Sequence, residues 1–213
     1  MKVMIVDAGM GNIHSLISAL NYLGVEPVVT DDPAAFESAT HVILPGVGAF
    51  DAAMQSLGDR SLTGTLQRYA VDKKKPLLGV CLGMQLLFQG SEEGRLPGLA
   101  LMPGRFLRLA PDLGLCRKVP HVGFASIYGY REVGLFRGLG PNSHFYFTHS
   151  YGLPSSNGDW NVASCAHTQP FVAAFQKDHL CGVQFHPEKS QSTGLRLISN
   201  FLELSSPSTA CEG

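Results

Sequence analysis

Residues 76–89 read PLLGVCLGMQLLFQ. The apolar run 76–81 predicts a fully buried strand, and the segment 82–89 directly after it predicts a helix. Their junction has the form G-x-C-x-G, the cysteine version of a nucleophile elbow, with Gly79 and Gly83 on either side of Cys81. A sharp strand-to-helix turn crowds its neighbours, which explains why side chains are absent two residues either side of the cysteine. The stretch therefore predicts an α/β unit that places Cys81 at the end of a buried strand.

The same strand, turn and helix pattern recurs towards the N-terminus. Continuous apolar runs separated by amphipathic segments are typical of a parallel sheet covered on both faces. After Gly98, short strands joined by turns predict an antiparallel or mixed extension. The expected strands are 2–6, 26–30, 41–44, 100–109, 145–150, 162–167, 171–176 and 180–185, and the expected helices are 13–23, 50–57, 61–74 and one carrying Leu195, Ile198, Phe201 and Leu202.

These elements predict the fold class α/β, a three-layer sandwich with a mostly parallel central sheet and an antiparallel extension. We assign residues 1–204 to a single domain because no internal repeat or linker interrupts them. Residues 205–213 are expected to form a polar C-terminal tail.

Composition excludes several classes of protein. Of 213 residues, 16 are basic and 17 acidic, and a net charge of −1 excludes a polybasic binder of nucleic acid or of a membrane surface. The five cysteines form no C-x-x-C pair and no zinc-finger spacing, and their odd number favours a reducing compartment. The longest uncharged apolar-rich run, 76–91, is too short to span a membrane. A soluble, cytoplasmic protein is therefore expected.

Two segments carry candidate chemistry. A helix N-terminus favours a thiolate at Cys81, and the N–H of Leu82 is placed to bind an oxyanion. The pentapeptide alone leaves open that Cys81 is a small buried apolar residue. The segment QFHPE at 184–188 favours catalysis, since residues two apart in an extended segment project to one side. His186 and Glu188 can then meet as a base and its orienting carboxylate, a geometry that Pro187 favours.

Two glycine-rich turns complete the candidates. The segment PGVG at 45–48 can present N–H groups to an oxyanion or change conformation, and an ordinary glycine turn explains the same spacing. The segment DAGMGN at 7–12 lacks the third glycine of a dinucleotide-binding fingerprint, because Ser15 stands at that position. We interpret 7–12 as a turn.

Six motifs occur in order along the chain. They are VDAGMGNI at 6–13, LPGVGAF at 44–50, GVCLGMQLLF at 79–88, VPHVGF at 119–124, FYFTHSY at 145–151 and GVQFHPEKS at 182–190. Over essentially its whole length the chain resembles the class I, or triad-type, glutamine amidotransferases. Met84-Gln85 and Lys189-Ser190 favour the branch of glutaminase subunits that serve imidazole glycerol phosphate synthase.

This resemblance implies that Cys81 attacks the side-chain amide of glutamine, that His186 moves the protons and that Glu188 orients His186. A γ-glutamyl thioester forms, ammonia leaves and water releases glutamate. No metal or organic cofactor is implied. The resemblance also implies glutamine-binding positions at Gln85, Glu93, Thr148, Ser150 and Tyr151, oxyanion donors at Val47, Gly48 and Leu82, and a turnover of the 45–48 strand on activation.

The resemblance further implies a partner. The motifs use the whole fold and leave no second domain to accept ammonia, which would be protonated and lost if released. In the family the acceptor is a (β/α)8-barrel cyclase subunit, contacted by a face near Asn12, Phe124, Tyr146 and Lys189. The run Gly123-Phe124-Ala125 departs on that face from the usual Gly-Trp-Asn.

Three other functions are compatible with parts of the sequence. One is a paralogue that supplies ammonia to surface-sugar biosynthesis, and another is a stand-alone cysteine hydrolase of γ-glutamyl amides or peptides. The third is a catalytically silent scaffold that regulates a synthase, against which the intact set of Cys81, His186 and Glu188 argues. Full turnover by the isolated chain would favour the stand-alone hydrolase.

Overall fold

The computed structural model describes residues 1–9, 13–112, 114, 117–141, 143–154 and 159–205. Within these ranges the strands are β1 (Val3–Val6), β2 (Val28–Thr30), β3 (His41–Gly46), β4 (Leu77–Cys81), β5 (Gly90–Ser91), β6 (Arg105–Arg108), β7 (His121–Ser126), β8 (His144–His149), β9 (Tyr151–Gly152), β10 (Asn161–Ala166), β11 (Pro170–Lys177) and β12 (Leu180–Val183). The helices are α1 (His14–Tyr22), α2 (Phe50–Asp59), α3 (Leu62–Val71), α4 (Leu82–Leu86) and α5 (Gln191–Leu202). None of these helices is long and apolar enough to cross a membrane.

The central sheet has seven strands in the order β10-β11-β12-β4-β3-β1-β2. The five strands from β12 to β2 are parallel to one another, whereas β10 and β11 are antiparallel to their neighbours. The predicted mostly parallel sheet with an antiparallel extension is confirmed. Because the carboxyl ends of parallel strands meet at one edge, β3, β4 and β12 bring the segments that follow them together there.

The sheet is covered on both faces, which confirms the three-layer arrangement. Along β1, Met4 and Val6 belong to a core formed with α2, α3 and α4. Their neighbours Val3 and Ile5 belong to a second core formed with α1, α5 and β8. Successive side chains of a strand point to opposite faces, so one buried strand serves both cores.

Two smaller sheets lie outside the central one. β7 and β8 form an antiparallel pair, and Phe145 and Phe147 of β8 belong to the second core. β5, β6 and β9 form a three-stranded sheet. β7 was not among the expected strands, since its sequence HVGFAS has no clear apolar run.

Several boundaries differ from the expectation. The strand expected at 100–109 is confined to β6, because Ala100 and Gly104 have φ values of 53° and 122° that an extended strand does not allow. The helix expected at 82–89 ends at Leu86, where the chain turns towards β5. The division of the chain at residue 204 stays a prediction, and residues 206–213 of the expected tail lie outside the described residues.

Candidate active site

The elbow at Cys81 depends on close backbone contacts. β4 ends at Cys81, whose φ of 56° and ψ of −113° are rare for a residue with a side chain, and α4 begins at the next residue. A Cβ on Gly79 would lie 2.7 Å from the backbone of Gly83, and a Cβ on Gly83 would lie 1.8 Å from the carbonyl oxygen of Leu44. The two glycines therefore allow α4 to approach β3 and β4, which places the thiol at the carboxyl edge of the sheet.

His186 and Glu188 meet directly after β12. Nδ1 of His186 lies 2.8 Å from Oε1 of Glu188, and both side chains are buried. The extended geometry that we expected holds for His186, with φ −98° and ψ 97°, but Pro187–Lys189 form a 3₁₀ turn. The pair therefore meets as expected, although the turn, rather than the two-residue repeat of a strand, brings the carboxylate to the ring.

The electrostatics of His186 are set by two neighbours. Burial acts to lower the pKa of the ring, but interaction with the Cys81 thiol and the Glu188 carboxylate outweighs it and raises the pKa to about 9. The Nε2 atom is buried and has no hydrogen-bond partner among the described residues. Since Nδ1 is engaged by Glu188, Nε2 is the nitrogen that can exchange a proton with the thiol.

A cavity of about 300 Å³ opens at this edge of the sheet. The predicted oxyanion and glutamine-binding positions all line it, while Glu188 is bonded to His186. Pro120 and His149 line it as well and were not predicted as site residues, although they lie in the motifs at 119–124 and 145–151. The lining residues are Val47, Gly48, Cys81, Leu82, Gln85, Glu93, Pro120, Thr148, His149, Ser150, Tyr151 and His186.

Glu93 is the acidic residue among the described residues that line the cavity. Its Oε2 accepts a hydrogen bond of 3.0 Å from the N–H of Phe50. Partial burial raises the pKa of the Glu93 carboxyl, the Phe50 hydrogen bond opposes this, and the nearby charge of Asp51 adds to the rise. Because a nearby positive charge stabilises an ionised carboxylate, Glu93 is suited to bind a cationic group.

Gln184 contacts the nucleophile and was not predicted as a site residue. Its side chain is fully buried, donates to Sγ of Cys81 at 3.8 Å and accepts from Nε2 of Gln85 at 3.2 Å. Oε1 of Gln85 is buried without a partner among the described residues. The available signal was the polar side chain within the apolar run CGVQF, since a buried amide requires hydrogen bonds.

Two buried histidines support the cavity wall. Nδ1 of His149 bonds the carbonyl oxygen of Tyr151 at 2.7 Å, and its Nε2 lies 3.1 Å from Nδ1 of His121. Burial lowers the pKa of His121 to about 3 and that of His149 to about 4, so both rings are neutral near pH 7. No group of three or more histidine, cysteine, aspartate or glutamate side chains in the described ranges is arranged to hold a metal ion.

Three of the four residues expected at a partner interface lie together. Phe124 is 53% exposed, its ring lies 5.5 Å from that of Tyr146, and Nζ of Lys189 lies 5.9 Å from the Tyr146 ring. Asn12 lies outside the described residues. The carbonyl of Tyr146 accepts the N–H of His186 at 2.9 Å, so this surface is bonded directly to the backbone of the histidine.

Comparisons with solved structures concern the fold. A glutamine amidotransferase structure superposes with a TM-score of 0.73 at 20% identity, covering 96% of this chain and 98% of that one. The glutaminase domain of Trypanosoma brucei CTPS superposes with a TM-score of 0.65 at 15% identity, covering 97% and 96%. At such identities the likeness shows a shared architecture.

Comparisons of sequence identify the family. The family model for class-I glutamine amidotransferase matches residues 4–204. The protein named imidazole glycerol phosphate synthase subunit HisH from Synechococcus elongatus is 44% identical, over 94% of this chain and 92% of its own length. The protein of that name from Gloeobacter violaceus is 42% identical over 99% and 93%. The chain therefore belongs to the class I glutamine amidotransferases and, within them, to the family of imidazole glycerol phosphate synthase HisH subunits.

Proposed function

We propose that this chain is the glutaminase subunit of an imidazole glycerol phosphate synthase. It hydrolyses glutamine and passes ammonia to a cyclase subunit for histidine biosynthesis. The observation that carries the proposal is the convergence of Cys81, His186 and Glu93 on one cavity, with Glu188 bonded behind His186. The relatives named HisH support the pathway.

The cavity suits glutamine in its charges and hydrogen-bonding groups. The Glu93 carboxylate is complementary to the α-ammonium group, and the unpaired Oε1 of Gln85 is available to accept a hydrogen bond. Val47, Gly48 and Leu82 line the cavity, and their backbone N–H groups bind the carbonyl oxygen as it becomes an oxyanion, those of Val47 and Gly48 after the 45–48 segment has turned over. Thr148, Ser150 and Tyr151 line the same cavity and complete the proposed substrate site.

The proposed reaction uses His186 twice. Because the pKa of His186 is raised, Nε2 already holds the proton taken from the Cys81 thiol, and Glu188 stabilises this imidazolium. Sγ of Cys81 then attacks the δ-carbon of glutamine. The imidazolium then protonates the amide nitrogen, the C–N bond breaks and ammonia leaves a γ-glutamyl thioester. Water attacks the thioester and gives a proton to His186. The C–S bond then breaks, which releases glutamate and restores the Cys81 sulfur beside the protonated His186.

Labelling and substitution test this assignment. A diazoketone analogue of glutamine should alkylate Cys81 and leave Cys165 and Cys181 unmodified, since both of these are free but fully buried in the core. Cys81→Ala should reduce glutamine hydrolysis by about 10⁶-fold with folding intact, and Cys165→Ala is the matched control. Glutaminase activity retained by Cys81→Ala would overturn the assignment.

We further propose that the cyclase docks over Phe124, Tyr146 and Lys189, and that the protein works in the cytoplasm. Turnover of the 45–48 segment on docking makes the isolated chain a poor glutaminase, because one missing oxyanion donor costs about 10²–10³ in rate. The cyclase with its ligand should restore that rate. Equal turnover with and without the partner would favour a stand-alone hydrolase, and tight binding only to a paralogous surface-sugar cyclase would overturn the histidine assignment.

A further inference from the structure

Asp51 lies outside the cavity and holds the loop that carries Glu93. Both of its carboxylate oxygens accept the N–H of Arg95 at 2.9 Å, and Oδ1 also accepts the N–H of Leu96 at 2.9 Å. These backbone hydrogen bonds lower the pKa of Asp51, so it is ionised near neutral pH. A charged residue on the first turn of α2 is thus bonded to the loop two residues beyond Glu93.

The contact between Asp51 and the loop is unusually close at Gly94. A Cβ on Gly94 would lie 2.0 Å from Oδ1 of Asp51, so the carboxylate occupies the space that a side chain would need. Nη2 of Arg105 also bonds this loop, since it donates to the carbonyl oxygens of Ser91 at 2.7 Å and of Gly94 at 3.2 Å. Glycine at 94 is therefore a requirement of the Asp51 contact.

The bonding between helix and loop is reciprocal. Phe50 donates its N–H to Glu93, while the next residue, Asp51, accepts from Arg95 and Leu96. We call this set of contacts the α2 clasp. It fixes the Glu93 carboxylate relative to the start of α2, immediately after the segment that contributes Val47 and Gly48 to the cavity.

We propose that Asp51 is a positioning residue for substrate recognition. By holding the 93–96 loop it sets where the Glu93 carboxylate meets the α-ammonium group of glutamine, and so determines the preference for substrates with a free α-amino group. The inference rests on the proposed function. A carboxylate on a first helical turn also stabilises the helix, so the test must separate positioning from stability.

Two variants perturb the clasp from opposite sides. Asp51→Asn removes the charge that accepts the loop N–H groups, and Gly94→Ala inserts a methyl group at the carboxylate. Asp59→Asn is the matched control, because Asp59 is an exposed carboxylate at the other end of α2. Each variant, assembled with the cyclase subunit and its ligand, is assayed with glutamine and with glutaric acid monoamide, which is glutamine without its α-amino group.

We expect Asp51→Asn and Gly94→Ala to raise KM for glutamine about tenfold with kcat within about twofold, since small misplacements of a binding group are costly. Their kcat/KM for the monoamide should equal that of the wild type. Asp59→Asn should leave the kinetic constants for both substrates unchanged. Glu93→Gln should abolish the preference for glutamine, and adding Asp51→Asn to it should have no further effect. If Gly94→Ala does not fold, the kinetics of Asp51→Asn on the two substrates test the inference.

An equal loss of activity on both substrates would overturn the inference, because it would mean that Asp51 only stabilises the fold. An unchanged KM would also overturn it, and so would a lower KM, which would mean that Asp51 acts on Glu93 by repulsion. If Glu93→Gln loses the preference for glutamine and Asp51→Asn keeps it, the inference about Asp51 fails and the proposed function stands. If Glu93→Gln keeps the preference, the assignment of Glu93 under the proposed function fails together with it.

Discussion

Replacing Glu188 by glutamine tests how the orienting carboxylate acts. The rise of the His186 pKa from 6.5 to about 9 corresponds to roughly 3 kcal/mol of net stabilisation of the imidazolium, which Cys81 and Glu188 together provide against burial. Glu188→Gln keeps the size of the side chain and removes its charge from a distance of 2.8 Å. The pKa of His186 should then fall, because burial is opposed by Cys81 alone.

The same numbers bound the kinetic effect. Glu188 supplies part of this stabilisation beside Cys81, and a loss of the order of 3 kcal/mol corresponds to about 10²-fold in rate. An amide that also selects the wrong tautomer costs about 10⁴-fold in a serine protease triad. We therefore expect kcat of Glu188→Gln to fall between about 10²- and 10⁴-fold, less than for Cys81→Ala.

Glutaminase kinetics on the assembled complex and NMR titration of the labelled ring of His186 measure the two effects. Glu203→Gln is the control, since Glu203 is an exposed carboxylate paired with Arg137. If kcat of Glu188→Gln stays within about tenfold of the wild type, or if the pKa of His186 remains near 9, the reasoning is refuted.

Three further predictions concern stability and docking. Gly83→Ala drives a methyl group onto the Leu44 carbonyl and should lower the free energy of unfolding in urea by about 1–3 kcal/mol or more; an unchanged midpoint would contradict the packing of the elbow. Below pH 6.5 the unfolded chain takes up protons that buried His121 and His149 bind only near pH 3 to 4. These two rings should therefore lower stability in acid by up to about 3 kcal/mol per pH unit, beside the contributions of His41 and His179, whose pKa values burial also lowers. His121→Phe should remove about half of the contribution of the two rings, which denaturation at several pH values would show. Phe124→Ala should weaken association with the cyclase by about 2–4 kcal/mol in calorimetry, with KM for glutamine in the saturated complex unchanged.

The fold was largely predictable because its strands are buried on both faces. Runs such as those of β1 and β4 are apolar throughout, and such runs separated by amphipathic helices indicate a parallel sheet. β7 and the short β5 and β9 were not predictable in this way. Their pairing depends on neighbours distant in sequence, as with His121 of β7 opposite His149 of β8.

For the candidate site, the sequence by itself determined which residues can react. Cys81 between two glycines and His186 two residues before Glu188 are local patterns, and their chemistry follows from residue type and spacing. More than 100 residues separate Cys81 from His186, and no local pattern in the sequence indicates that the two side chains meet. Only the parallel pairing of β4 with β12, which aligns Val80 with Val183, places both at one edge of the sheet.

The tertiary structure alone decided how that site is held. The contacts of Gln184 with Cys81, of Phe50 with Glu93 and of Asp51 with the 93–96 loop join residues 43 to 103 positions apart in the chain. Residues of these types occur in most proteins, and the role of each one here follows from the partner that it contacts. Because a hydrogen bond depends on the positions of both groups within a few tenths of an ångström, packing of the sheet and helices had to fix those positions first.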